Sequence, residues 1–319
     1  MSFDRPINRI AIIGTGVIGA SWATQYLAKG FDVVATDPGP GAEEKLREFV
    51  AEAWPSVTQL GLEPGASQDR LSFTPVMTEA VAQADFVQEN APERPEFKIK
   101  LFAEIDAATP SDALIASSSS GITMSVIQTD CEHAERTVIG HPFNPPHLIP
   151  LVEVVGGEKT APEAIDAALS FYASIGKRPI RLMKELPGHV ANRLASTLYR
   201  EVVDLIDRGV LSVADADDAV SWGPGLRWGL MGQSLLYHLG GGEGGIEHFM
   251  EHLMPPLVAS WETLRTPVVT DELKQKIVDG VLAEAGGRSV DELAHLRDEM
   301  LVGLLAVRAG AENTEAIPS

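Results

Sequence analysis

One cysteine in 319 residues, Cys131, leaves no partner for an internal disulfide. Packing alone must hold the fold, and a reducing compartment, the cytoplasm, is the expected setting. Cys131 is also a poor nucleophile: it sits in the polar run Thr129-Asp130-Cys131-Glu132-His133, which reads as a loop whose carboxylates oppose a thiolate. Positive charge is equally scarce. Lys and Arg number 25 against 45 Asp and Glu, a formal charge of −20, which excludes broad contact with nucleic-acid phosphates and disfavours docking on anionic lipid. The acidity reads as a source of solubility. The first residues, Met1-Ser2-Phe3-Asp4-Arg5, lack the apolar core of a signal peptide. Ile10 to Ala28 is uncharged and long enough to raise the membrane question, but Gly14, Thr15, Gly16, Gly19, Ser21, Thr24 and Gln25 make it too polar for an anchor. A soluble protein is expected, without internal repeats or low-complexity segments, and with its last ten residues frayed.

What is present is ordinary for a globular chain: 45% apolar and 22% charged residues over a length that suits about two domains at roughly 150 residues each. Short β-branched runs alternate with helical stretches in the first half. Arg9–Ile13 reads as a strand buried on both faces, and Asp32–Thr36, Leu71–Thr74, Asp85–Gln88, Ala113–Ser117, Thr137–Gly140, Leu151–Val155 and Pro179–Leu182 as further strands. A helix over Val17–Lys29 should stop at Gly30, and one over Glu43–Leu60 should kink or break at Pro55. After Pro187-Gly188 the signals are mainly helical: Val190–Arg208, Val213–Ser221 behind a Ser212/Asp215 capping box, Ile246–Leu253, Asp271–Ala285 and Val290–Arg308. The pattern predicts an α/β chain: a Rossmann-type doubly wound, mostly parallel sheet over residues 1–186, then a smaller all-helical domain over 187–319.

Gly14-Thr15-Gly16-Val17-Ile18-Gly19 lies between the first strand and the first helix, and Asp37 closes the next strand. In that setting the first glycine permits a tight turn, the second lets the backbone approach a pyrophosphate, and the third lets helix and strand pack closely. The helix start at Val17 and Ile18 offers free N–H groups and a positive dipole end to the phosphates. Asp37 would bind a ribose 2′-hydroxyl and repel a 2′-phosphate, and no Arg or Lys follows it directly, so NAD is the expected cofactor.

Four more segments carry polar chemistry: Ala116–Gly121 with its serine run, Gly140–Pro146 with His141, Phe143 and Asn144, Leu151–Val155 with Glu153, and Pro187–Arg193 with Asn192. Together with the glycine motif, in this order, they resemble the L-3-hydroxyacyl-CoA dehydrogenase family from Arg9 to about Gly232. That resemblance implies a catalytic set of Ser120, His141, Glu153 and Asn192. The residue types suit alcohol oxidation: an imidazole to take the hydroxyl proton, a carboxylate to hold its other nitrogen, a hydroxyl for the reacting oxygen and an amide for a polar substrate group. Ser118 is expected to line the cofactor or turn the chain. Most of the Glu89–Lys100 run reads as a solvated helix face; Glu89 and Glu93 sit where the family places acids near the cofactor edge, and Glu93 and Lys98 are cofactor-binding candidates.

Ser118-Ser119-Ser120 stands where the acyl-CoA enzymes usually have Asn-Thr-Ser, as in the branch that oxidises free small hydroxy acids. Trp222–Gly232 and His238–Gly245 look like the bacterial L-carnitine branch of the family, so an NAD-dependent 3-hydroxy acid dehydrogenase acting on L-carnitine is implied. A trimethylammonium group is held by aromatic faces at roughly 0.5–2 kcal/mol; Phe143, Trp222, Trp228 and Tyr237 are candidate walls, with Glu243 as an added charge. Arg227, ahead of Arg193, is the candidate cation for the carboxylate. L-gulonate, a short 3-hydroxyacyl-CoA, and a non-catalytic crystallin-like role are the alternatives. No metal, membrane or nucleic-acid partner is expected, and a homodimer through the helical domain is implied by the resemblance. The His248-x-x-Glu251-His252 pattern matches an inverted zinc motif but is better read as a packing helix. Gly240–Gly245 lacks the Lys-Ser/Thr ending of a phosphate loop and reads as a flexible turn between helices.

Overall fold

The computed structural model describes Phe3 and residues 5–313. The chain forms two compact units, one up to Arg193 and one from Leu194 onward.

In the first unit, eight strands form one sheet in the order β3-β2-β1-β4-β5-β6-β7-β8: β1 Arg9–Ile13, β2 Asp32–Thr36, β3 Leu71–Phe73, β4 Phe86–Glu89, β5 Leu114–Ser117, β6 Thr137–Pro142, β7 Leu151–Gly156 and β8 Arg178–Arg181. Every pairing is parallel except β6 with β7. The order reverses between β1 and β4, so the loops after these strands border the crevice where a doubly wound sheet takes its ligand.

Alternation of side chains along β1 explains the two-sided burial. Ile10 and Ile12 enter one core with Trp22, Tyr26, Leu46 and Phe171, while Ala11 and Ile13 enter the other with Val87, Phe102 and Ile127. Helices α1 (Val17–Ala28), α2 (Ala42–Leu60) and α6 (Pro162–Ser174) cover the first face, and α3 (Met77–Val81), α4 (Pro95–Ala108) and α5 (Met124–Ile127) the second. The stop at Gly30 is realised at φ +81°, a conformation glycine adopts without steric cost.

Helix α2 continues through Pro55, so of the kink or break expected there the break does not occur. Leu46, Val50, Ala53 and Val57 are buried along its length, and Thr58 donates its hydroxyl to the Trp54 carbonyl at 2.8 Å. The apolar face thus docks both halves despite the missing N–H. The solvated-face reading of the Glu89–Lys100 run also needs correction. Glu96 and Lys100 are exposed, but Lys98 and Glu89 are buried and form an ion pair at 2.6 Å. Cys131 is buried in its loop, and burial first, then Asp106, pushes its thiol up to about 12, in keeping with its poor prospects as a nucleophile.

The second unit is all helical: most of α7 (Ala191–Asp207), then α8 Val213–Trp222, α9 Pro224–Trp228, α10 Gln233–Gly240, α11 Gly245–His248, a π turn Phe249–Leu253, α12 Met254–Trp261, α13 Asp271–Ala285 and α14 Val290–Asn313. The Ser212 hydroxyl caps α8, accepting from the Asp215 N–H at 3.1 Å. Periodicity has no hold on the short α9 and α10, and the single helix expected over Ile246–Leu253 is interrupted by the π turn. Residues 310–313, expected to be frayed, continue α14; the rest of the expected frayed tail lies outside the described residues. Among the described residues no helix is long and apolar enough to cross a membrane.

Candidate active site

Three glycines after β1 serve three different ends. Gly14 has φ +84° and donates its N–H to the Thr36 carbonyl at 2.9 Å. At Gly19 a Cβ would stand 1.9 Å from the Gly14 carbonyl oxygen, so only hydrogen lets α1 pack on the loop. A Cβ on Gly16 would meet nothing within 4 Å: here the backbone faces open space, as a pyrophosphate approach requires. Among the described residues no side chain caps α1, whose first N–H groups are available to an anion, and Val17 is exposed at that end while Ile18 is half-buried. Asp37 braces this loop, accepting from Thr15 N at 2.9 Å and Gly39 N at 2.8 Å. The site therefore fits a dinucleotide.

The serine run follows β5 and is pinned residue by residue. Ser118 donates to the Asn90 Oδ1 at 2.7 Å and accepts from Gln88 Nε2 at 2.9 Å and Trp22 Nε1 at 3.2 Å. Ser119 donates to Glu93 at 2.6 Å. Glu93 also accepts from the Gly121 and Ile122 N–H groups at 2.7 and 3.1 Å. Burial raises its carboxyl, but the Ser119, Gly121 and Ile122 hydrogen bonds, with Lys98, hold it below the ordinary range. Glu93 and Lys98 thus brace the loop: Lys98 Nζ sits 3.7 Å from Glu93 and is committed to Glu89, which accepts from Ser117 as well. The Ser120 hydroxyl has no protein partner among the described residues, and the Asn192 amide, at the start of α7, likewise has none.

His141 and Glu153 are directly opposite one another on the antiparallel pair β6–β7. Opposed residues point to the same face, and His141 Nδ1 lies 2.9 Å from Glu153 Oε2. Both side chains are buried. The second carboxylate oxygen, Oε1, accepts from the Val190 and Ala191 N–H groups at 2.8 and 3.1 Å. Burial raises the Glu153 carboxyl, and the hydrogen bonds from His141, Val190 and Ala191 outweigh it, leaving a net depression below the ordinary value. With Nδ1 held by a carboxylate, the proton-accepting position of a neutral His141 is Nε2. The turn that supplies Val190 and Ala191 also donates Gly188 N–H to the Ser120 carbonyl at 3.1 Å. Ser120, Glu153 and, through Glu153, His141 are consequently tied to one turn, which is why Pro187–Arg193 belongs to the first compact unit.

Sequence reasoning does not single out His189 of that turn. It occupies a variable position of the Pro-Gly-x-x-x-Asn-Arg pattern, so nothing but a titratable side chain inside a catalytic motif marks it. Asn90 escapes it too: this residue receives the Ser118 hydroxyl, and its backbone would meet a Cβ on Gly14 at 3.0 Å.

The sequence-based substrate residues fall in both units. Phe143 is half-buried in the loop after β6. In the second unit Trp222 is 75% exposed at the end of α8. Trp228, at the end of α9, gives its indole N–H to Gln233. Arg227 and Glu243 are exposed. Tyr237 stacks on Phe249 at 4.3 Å, so one of its faces is already covered. His248 and His252 sit ring to ring at 4.5 Å on the exposed side of a segment whose Phe249 is buried; among the described residues no group of three His, Cys, Asp or Glu could hold a metal.

Comparison with known proteins agrees with this layout. The family description "3-hydroxyacyl-CoA dehydrogenase, NAD binding domain" matches residues 9–186, and "3-hydroxyacyl-CoA dehydrogenase, C-terminal domain" matches residues 188–284. An L-carnitine dehydrogenase of a Pseudomonas species is 48% identical over 305 residues, 96% of this chain and 95% of its own length. Another, from Streptomyces griseus, is 48% identical over 94% of this chain and 89% of its own length. Among solved structures, a 5-formyl-3-hydroxy-2-methylpyridine 4-carboxylic acid 5-dehydrogenase, an NAD+ dependent dismutase, is similar at a TM-score of 0.78 and 32% identity, over 96% of this chain and 99% of that one.

Proposed function

Since the chain belongs to the 3-hydroxyacyl-CoA dehydrogenase family and is an NAD-dependent oxidoreductase, we propose that it oxidises the 3-hydroxyl of L-carnitine to give 3-dehydrocarnitine. The observation that carries the reading is the buried His141–Glu153 pair, whose Nδ1 is engaged at 2.9 Å, leaving Nε2 as the base. NAD, when bound, supplies the acceptor for the hydride that leaves C3. His141 Nε2 takes the hydroxyl proton, and Glu153 holds the imidazolium by its Nδ1–H. Ser120 donates its uncommitted hydroxyl to the reacting oxygen, and Asn192 offers its amide to a polar substrate group. Gly14, Gly16, Val17, Ile18, Gly19 and Asp37 hold the cofactor, with Ser118, Glu93 and Lys98 bracing its nicotinamide side.

The choice of substrate rests on relatives named L-carnitine dehydrogenase that span nearly the whole chain and on the exposed Trp222 and Trp228. A panel of L-carnitine, L-gulonate, 3-hydroxybutyrate and 3-hydroxybutyryl-CoA, followed by NAD reduction in the near ultraviolet, tests it. Turnover is expected on L-carnitine. In Trp228→Ala the Michaelis constant should rise far more for carnitine than for 3-hydroxybutyrate, since only a cation gains from an aromatic face. Turnover of L-gulonate or the CoA ester without carnitine would overturn the substrate, and no turnover at all would return the crystallin-like alternative.

Asp37→Ala should weaken NAD binding while saturating NAD recovers most of the rate, and wild type should prefer NAD over NADP by like-charge repulsion. Titration of NAD by protein fluorescence checks this; equal affinity for both cofactors would remove Asp37 from the site. We divide the chain into an NAD-binding domain over 1–186 and a helical substrate and dimerisation domain over 187–319. Leu239, Leu282, Met300 and Val307 of the helical domain are exposed, which favours a homodimer formed there. Light scattering at micromolar concentration should give twice the chain mass of 34.1 kDa; a monomer would refute it.

A further inference from the structure

His189 lies inside the catalytic motif without a catalytic atom to its name. Its ring centroid is 4.7 Å from that of His141 at an interplanar angle of 38°. The side chain is 2% exposed. Nε2 donates to the Ser119 carbonyl at 2.9 Å, one residue before Ser120, while Nδ1 is buried with no partner. The backbone has φ +47°, the sole positive φ at a non-glycine among the described residues. A buried bare nitrogen and a left-handed backbone are both unfavourable. A phenyl ring would fill the same space and lie on the face of His141 without the first cost, so the imidazole is accounted for by what a phenyl cannot do there: donate to the serine loop.

We propose that His189 is a positioning residue for the reaction, an imidazole that fixes the ring of His141 and the Ser119–Ser120 turn against one another. The inference rests on the reading of His141 as the base. Successive groups of one turn make the connection: Gly188 N–H to Ser120, His189 Nε2–H to Ser119, and Val190 and Ala191 N–H to Glu153. Base, counter-charge and hydroxyl donor therefore keep a common reference, and outer-shell partners of this kind affect the rate through geometry.

Neutrality matters because a second cation against His141 would oppose the imidazolium formed in turnover. The groups facing His189 are His141 on β6, Glu153 on β7 and Glu93 after β4. Burial lowers its pKa most; the bond to Ser119 raises it, His141 lowers it, and Glu153 and Glu93 raise it, with a net depression. Its burial and the bare Nδ1 favour the uncharged ring.

Two variants and one spectroscopic measurement test this. His189→Phe keeps a ring and loses the donor; kcat should fall roughly 10-fold or more with the KM for NAD unchanged. His189→Gln places an amide N–H near the Nε2 position and should restore most of that loss. In the wild-type protein labelled with ring-15N histidine, His189 should show the neutral Nε2–H tautomer across the pH range in which the enzyme is active. A His189 that is protonated, or that carries its proton on Nδ1, in the active pH range, or a His189→Phe enzyme with wild-type kcat and pH profile, overturns the inference. Should His189→Phe not fold, the labelled wild type and His189→Gln decide. An active His141→Ala enzyme would instead sink the base reading itself, an outcome separate from any result at His189.

Discussion

Replacing His141 with Ala is expected to lower kcat by roughly 10²–10⁴-fold, the usual worth of general acid–base catalysis, with NAD affinity close to wild type. The His141 side chain is buried between Glu153 and His189, and the glycine loop and Asp37, proposed to hold the cofactor, make no hydrogen bond to it among the described residues. Loss of the ring should therefore remove the proton acceptor and spare the dinucleotide site. Steady-state rates beside NAD titration separate the two effects. A variant that keeps the wild-type rate moves the base elsewhere. In the wild type, the rate of alcohol oxidation should rise with pH as the His141–Glu153 pair loses its proton, and the apparent pKa belongs to the pair.

Glu153→Gln should cost a similar factor for a reason the geometry makes specific. Oε1 of Glu153 accepts two backbone N–H groups, from Val190 and Ala191, and a glutamine keeps those bonds only with its carbonyl oxygen there. Its NH2 then faces His141 Nδ1, which must accept, and the ring proton moves to Nε2, where it blocks the base. The imidazolium also loses its counter-charge. A rate within about 3-fold of wild type would contradict this, because tautomer and charge effects of this kind reach roughly 10⁴-fold. Stability supplies an independent reading. The folded carboxyl lies below its ordinary 4.5, so the unfolded chain binds the proton more readily and the contribution of Glu153 is present above that value. It is lost as pH falls through the folded pKa. Near pH 7 the variant should melt below wild type, and the gap should narrow in acid; thermal melts across that range check the sign.

Much of the site could be read in the residues because it is local. The glycine spacing, the strand before it and the acid after the next strand follow from backbone sterics and phosphate chemistry; Gly14 takes the positive φ and Gly19 the close packing that the spacing calls for, while Asp37 accepts from the loop N–H groups of Thr15 and Gly39. Reading failed where burial decides. The charges of Glu89 and Lys98 suggested solvent, yet the two neutralise each other under the serine loop. Pro55 suggested a break, yet α2 is held along an apolar face that the missing N–H does not interrupt.

By itself the sequence determined the alternation of strands and helices, the dinucleotide loop and the residue types of the proposed catalytic set, since these depend on periodicity, glycine and short-range hydrogen bonding. Only the tertiary structure decided how the set is held. The antiparallel turn from β6 to β7 brings His141 opposite Glu153, a pairing that no local signal marks, because a strand reads the same in either direction. The Gly188–Ala191 turn then clamps Glu153, Ser119 and Ser120, and the role of His189 exists only there: its partners lie far away along the chain, and long-range contacts leave no period in a sequence.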